Sequence, residues 1–133
     1  MTTFVDTNVL LDAMDVGAPR HKWAKEQLAR ADQPVVLCDI GYSEFSVSIA
    51  TLEEANKSIR ELALDRAPFS DESLFRAGKA YAEYKKRGGT KNNVLSDFLI
   101  GALAEAEQAP LLTANERDFR SYFPSITLIC PSK

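Results

Sequence analysis

The segment FVDTNVLLD at positions 4–12 constrains the fold more than any other part of the chain. An apolar pair, Phe4 and Val5, runs into Asp6. The polar Thr7 and Asn8 follow, and then Val9, Leu10 and Leu11. This is the pattern of a buried strand that ends on a carboxylate and passes directly into a helix. In open α/β sheets, ligands gather at the C-terminal ends of the strands. A carboxylate delivered there needs hydrogen bonds or a cation, because burying an isolated charge is costly. Asp6 therefore reads either as a helix N-cap or as a cation ligand, and its companions decide between the two.

The remaining chain repeats the alternation. Short apolar strands are expected at 3–5, 35–38, 111–113 and 127–130, with a weaker extended piece at 66–69, where Pro68 disfavours helix. Helices are expected at 19–31, 40–50 and 52–64, the last with Thr51 as N-cap and Glu54 at capping-box spacing. Its apolar set is Leu52, Ala55, Ile59, Leu62 and Ala63. A further helix starts at Ser70, turns Leu74, Ala77, Gly78 and Tyr81 inward and Ser73 outward, and stops at Gly88–Gly89. Ser96 caps the next, which runs from Asp97 to about Glu107. Strands separated by helices give an α/β fold: a mostly parallel central sheet of four or five strands with helices on both faces.

The 133 residues fit a single domain with one core. Apolar residues are 45% and charged residues 26%, the balance of a globular protein rather than a disordered one. No apolar run approaches the roughly 18 residues a membrane span needs. The chain enters its first strand without a basic or leader-like start, which points to the cytoplasm and no membrane. Cys38 and Cys130 end separate apolar runs without metal-type spacing and read as buried, reduced thiols. The lone His21 has no histidine partner and basic neighbours, so it reads as a surface residue. A net charge of −3 argues weakly against nucleic acid, but two divalent cations would reverse its sign. Lys79, Lys85, Lys86, Arg87 and Lys91 also cluster; KKRGGTK at 85–91 suits phosphates, or a solvated helix end favoured by the helix dipole.

Three later segments bring acids to helix or strand ends. Glu44 stands among Tyr42, Phe45, Val47 and Ile49, just after the second strand. Asp97 opens a helix that is otherwise apolar or small, from Phe98 to Ala104. Asp118 follows the strand Leu111–Leu112, with Thr113 and Asn115 placed to orient carboxylates. Each has an ordinary structural explanation: a helix flank, a first-turn acid, a solvated loop. Together they crowd one sheet edge, and two like charges about 4 Å apart repel by roughly 4 kcal/mol at an effective dielectric near 20. Such a group calls for protons or cations. Oxygen donors without His or Cys favour Mg²⁺ or Mn²⁺ over zinc, and carboxylate-held ions of that kind serve phosphoryl transfer.

At these residues the chain resembles the PIN-domain ribonucleases, and within them the VapC-type toxins of bacterial toxin–antitoxin pairs. The resemblance spans 1–133 and rests on FVDTNVLLD, SEF at 43–45, SDFLIGALA at 96–104 and LLTANERDF at 111–119. It implies a PIN-like three-layer fold. It implies that Asp6, Glu44, Asp97 and Asp118 are the catalytic acids around Mg²⁺ or Mn²⁺, with Asp6 and Asp97 as core ligands. Thr113 and Asn115 match supporting positions, and Glu116 is an alternative to Asp118 as fourth ligand. Ser96 stands where many relatives have proline, a change expected to affect only the helix start. The resemblance also implies an RNA substrate, guided by Lys85, Lys86, Arg87 and Lys91, a homodimer, and a cognate antitoxin that blocks the acidic groove. The apolar faces at 52–64 and 74–84 are candidate surfaces for those contacts, or core.

Two other readings compete. A phosphatase-like or receiver-like α/β protein would phosphorylate a strand-end Asp, but needs a strand-end lysine or a phosphate-cradling loop, and neither is found. A degenerate PIN domain would serve as a non-catalytic RNA or protein binding module, against which stands the retention of all four acids.

Overall fold

The computed structural model describes residues 2–91 and 95–132. Five strands form one parallel sheet: β1 (Thr3–Val5), β2 (Val35–Cys38), β3 (Leu64–Ala67), β4 (Leu111–Leu112) and β5 (Leu128–Ile129). Among the described residues, seven helices connect and cover them: α1 (Thr7–Met14), α2 (His21–Arg30), α3 (Asp39–Ser46), α4 (Leu52–Glu61), α5 (Asp71–Lys86), α6 (Leu95–Glu107) and α7 (Glu116–Tyr122). No helix among the described residues is long and apolar enough to cross a membrane.

The strand order is β3-β2-β1-β4-β5. The chain builds outward from β1 to β3, then returns to β1's other side and builds outward again. The order therefore reverses between β1 and β4, which pair in the register Phe4↔Leu111 and Val5↔Leu112. That reversal opens a crevice beyond the carboxyl ends of these two strands, the usual ligand position of such sheets.

Period-two alternation divides the core into two layers. Phe4, Val36, Cys38 and Leu111 face α5, α6 and α7, among Phe98, Leu103 and Phe119. Val5, Val35, Leu37 and Leu112 face α1 to α4, among Val9, Leu10, Phe45 and Ile59. Phe45 and Phe119 are the largest fully buried side chains, one in each layer, and each contributes about 1.5–3 kcal/mol through burial. Helix α6 approaches α7 closely because Gly101 has no side chain; a methyl there would lie 2.5 Å from Phe123 Cδ2.

Several local expectations are corrected. The weak extended piece at 66–69 belongs to a full edge strand, β3, paired with β2 from Val35↔Leu64 to Cys38↔Ala67; Pro68 lies just past its end, where a missing amide costs no ladder bond. The helix expected to reach 64 stops at Glu61, because Ala63 turns left-handed (φ 54°) and Leu64 starts the strand. The helix expected to reach 50 stops at Ser46, where the Ser46 and Ser48 hydroxyls donate to the carbonyls of Tyr42 and Phe45 and so compete with continued helix. In α5 the inner face is rotated: Ser73 is fully buried while Leu74, Phe75 and Gly78 are exposed. Ser73 can be buried because its hydroxyl donates to the Ser70 carbonyl and accepts from the Ser70 amide, closing a capping box. Leu52 is 70% exposed and lies off the inner face of α4, which Ala55 and Ile59 occupy. Cys38 is buried and Cys130 only partly so, both free.

Candidate functional site

Asp6 leaves β1 at the crevice and immediately precedes α1. It holds the N-cap position, yet its side chain makes no capping bond. Its carboxylate turns instead across the sheet reversal, where Thr113, just past β4, donates to Oδ2 at 2.8 Å. Asn8 donates to the same oxygen at 3.2 Å, while its own carbonyl oxygen accepts from the Ala114 amide at 3.3 Å. The fully buried Thr113 hydroxyl in turn accepts from the Asn115 amide. Asp6 is thus tied at both ends of the crevice by neutral donors.

Glu44 comes from α3, the helix that follows β2. Thr7 Oγ1 donates to its Oε1 at 3.2 Å, and Ser96 Oγ donates to its Oε2 at 3.1 Å. Ser96 had been expected only to start the helix. It lies inside the first turn of α6 and uses its hydroxyl on Glu44, a long-range contact that a cap assignment from neighbouring residues does not detect. Asp97 follows it in the same turn. Because α6 delivers its N-terminus to the crevice, its dipole favours negative charge there.

One open cavity is lined by Asp6, Glu44 and Asp97 together with Thr7, Asn8 and Asn115. Burial pushes the Asp6 carboxyl up to about 6, with the Glu44 charge adding to the rise and the Thr113 bond opposing it. Asp97 is pushed up to about 7, first by burial and then by the negative charges of Asp6, Glu44 and Asp118; Lys91 only partly offsets them. These two acids hold protons unusually well because the fold buries them beside other negative charges that Lys91 offsets only in part. Among the described residues none of Asp6, Glu44, Asp97 and Asp118 joins an ion pair.

The fourth acid stands apart from this cavity. Asp118, exposed on α7, accepts from the Asn115 amide group at 3.2 Å and lies in a neighbouring cavity that Asp97 also lines. Glu116 points elsewhere, pairing with Arg120 at 3.4 Å and contacting the Cys130 thiol. Of the two, Asp118 is the one whose charge reaches Asp97. Lys91 lines that neighbouring cavity as well. Lys85, Lys86 and Arg87 end α5 at the surface, with Lys85 over the Tyr81 ring and Arg87 over the Tyr122 ring. Lys79 instead lies over Phe75. His21 is not at the site; its Nδ1 contacts the Asp12 carbonyl.

Thr7, Asn8 and Ser96 are the site residues that sequence reasoning missed. The signal for the first two was the unbroken polar pair after Asp6, which a helix does not need in its first turn.

The donor set suits a small, hard cation. All the converging groups are oxygens, and the two proton-hungry carboxylates gain most from a positive charge. Among the described residues, no three acidic, histidine or cysteine side chains close into a ready-made cage. Asp6 and Asp97, lining one cavity, fit magnesium-type binding, which takes one or two carboxylates plus water and substrate oxygens.

Comparison with known proteins follows this geometry. The family model for the PIN domain matches residues 3–122. No curated protein sequence matches the chain. Among solved structures, it is similar to VapBC2 from Rickettsia felis, crystallised on a DNA fragment from its promoter, with 24% identity, TM-score 0.72, and 99% of this chain and 100% of that chain covered. It is similar to VapBC-1 from nontypeable Haemophilus influenzae at 21% identity and TM-score 0.74, covering 98% of each chain. It is also similar to Mycobacterium tuberculosis VapC20, a sarcin-ricin loop cleaving toxin, at 15% identity and TM-score 0.72, covering 97% of this chain and 99% of that one.

Proposed function

The chain belongs to the PIN-domain family, and on that premise we propose that it is a metal-dependent endoribonuclease, the toxin of a toxin–antitoxin pair. The observation that carries the reading is the meeting of Asp6, Glu44 and Asp97 in one cavity at the sheet reversal, with no cation paired to them among the described residues. Asp6 and Asp97 would hold Mg²⁺ or Mn²⁺, with Glu44 and Asp118 completing the acidic set. The metal, when bound, supplies the positive charge that acidifies water and offsets charge on a phosphodiester. Thr113 and Asn8 fix the orientation of Asp6, and Thr7 and Ser96 that of Glu44, so the carboxylates need little rearrangement. Lys91 lies beside Asp97, where an RNA phosphate would need a counter-charge, and Lys85, Lys86 and Arg87 extend that surface along the backbone of the substrate.

The partner follows from the same site. The similar structures from Rickettsia felis and Haemophilus influenzae contain VapBC pairs, which supports an antitoxin for this chain. A basic antitoxin side chain entering the cavity would neutralise the acids in place of metal. The exposed Leu11 and Val47 at the cavity rim offer the apolar support such a segment needs. We place the protein in the cytoplasm as a homodimer.

The test is cleavage of total cellular RNA by antitoxin-free protein with Mg²⁺, with Mn²⁺ and with EDTA, beside Asp6→Asn. Discrete products that require metal and Asp6 are expected. A folded, metal-binding protein that cleaves nothing would favour the second reading, a non-catalytic binding module.

A further inference from the structure

Asp97 is a wall shared by two cavities. The acidic one has been described. The other, about 130 Å³, differs in kind: Tyr84, Phe98 and Tyr122 line it, with Lys91, Asp97 and Asp118 at the same opening. Its rings form a connected aromatic cluster. Tyr84 and Tyr122 stand edge to face at 6.0 Å, and Phe98 meets Tyr122 at 5.1 Å and Tyr84 at 5.6 Å. The cluster is braced: the Tyr84 hydroxyl accepts from the Lys91 amide at 3.0 Å, and the Arg87 guanidinium sits 5.1 Å over the Tyr122 ring. Tyr84 and Tyr122 are only half-buried, so an aromatic surface remains open beside the acids.

We propose that this cavity is a nucleobase subsite: an unpaired base flanking the cleaved phosphate enters it and stacks on Tyr84 or Tyr122. The proposal rests on the reading of the chain as a ribonuclease and adds where the substrate is gripped. Three features favour a base over an apolar protein side chain. The cavity adjoins the acidic site, Asp97 lining both, so a nucleotide bound there has its phosphate near the carboxylates. Cations bracket the aromatic walls, Lys91 at the opening and Arg87 on Tyr122, which suits an anionic backbone. Tyr84 and Tyr122 are only half-buried, so a base can lie on an open aromatic face rather than having to fill an enclosed volume. Aromatic platforms beside basic groups are the general means of holding single-stranded RNA.

Tyr84→Leu and Tyr122→Leu keep apolar volume but remove the stacking face; Tyr84→Phe and Tyr122→Phe keep the face. Folding of each is checked by circular dichroism and melting temperature. On the RNA that end mapping identifies for the wild type, the Leu variants should raise KM about tenfold or more and redistribute the cleavage positions. Tyr122→Phe should keep both, and Tyr84→Phe, which also loses the bond from the Lys91 amide, should keep the cleavage positions. Independently of turnover, an octaribonucleotide of random sequence carrying 4-thiouridine, irradiated with Asp6→Asn protein, should cross-link at Tyr84 or Tyr122. Leu variants that cleave the same positions with unchanged KM would overturn the proposal, as would cross-links confined to other aromatic residues such as Tyr42 or Trp23. Leu variants that cleave normally but escape the antitoxin would overturn it in favour of a protein socket. Cross-links at these tyrosines in a protein whose wild type cleaves no RNA would support the base pocket while refuting the nuclease.

Discussion

Acidic residues at the two edges of the sheet are treated in opposite ways. Where β4 and β5 begin, Glu72 and Glu105 share a cavity wall with Arg76, which pairs with both, at 2.8 Å and 2.7 Å. Ser125 adds a bond to Glu105. Where β1 and β4 end, hydroxyls and a side-chain amide bond Asp6 and Glu44, and Asp97 lines the same cavity. In the first group one arginine bonds both acids, so their two negative charges are reduced to a net of one. The second is left in electrostatic debt, and the raised proton affinities of Asp6 and Asp97 record it. Acid content alone does not distinguish the edges; the presence of a local cation does. A site of this kind is recognised by the charge the fold declines to neutralise.

The largest effect expected from breaking this contrast is on chemistry. Asp97→Asn removes the most strongly perturbed carboxyl and should lower kcat on RNA by about 100-fold or more, read by cleavage of total RNA with Mn²⁺ present. Full activity in that variant would remove Asp97 from the site. Next, Thr113→Val deletes the hydroxyl that holds Asp6 while keeping its shape. Leaving a buried carboxylate short of a partner should destabilise the protein by about 1–3 kcal/mol, seen in urea melts at pH 8, and should weaken metal binding by titration calorimetry. An unchanged midpoint would mean Asn8 alone suffices.

The pH dependence sharpens the contrast further. Both perturbed carboxyls bind protons more tightly folded than unfolded, from an ordinary 3.8 to about 6 for Asp6 and about 7 for Asp97. Between those values the folded state carries the extra protons, so stability of the metal-free protein should fall as pH rises from about 4 through 7. Asp97→Asn should flatten that decline, and Mg²⁺ should reverse it at pH 8. A metal-free protein equally stable at pH 5 and 8 would contradict the charge crowding. The smallest effect is expected at the opposite edge: Arg76→Met should lower the melting temperature slightly and leave RNA cleavage intact, because its two ion pairs are partly exposed and lie away from the acids of the crevice. Lost cleavage there would show that the two edges are coupled.

Much of this was legible in the amino-acid sequence, because the strongest signals are local. The run Phe4-Val5-Asp6 announces both a strand and what it delivers, and LLTAN announces the strand that completes the crevice. The polar residues that hold the acids were less visible. Ser96 looked like a helix cap because capping is a short-range property, whereas its contact with Glu44 spans 52 positions. Ser73 looked like a surface residue because its burial depends on a reciprocal bond to Ser70 rather than on hydropathy. Asp118 and Glu116 are two residues apart and chemically alike; only the direction of α7 separates them, one toward Asp97 and the other toward Arg120.

The bond from Thr113 to Asp6 joins positions 107 apart. It belongs to the class of contacts that form late, since a long loop must close before any reward is collected. During synthesis, Asp6 emerges well before its partner, which follows 107 positions later. Until β4 docks, the crevice has one bank. A nascent chain therefore carries Asp6 and Glu44 without their final arrangement until β4 has been made and has docked.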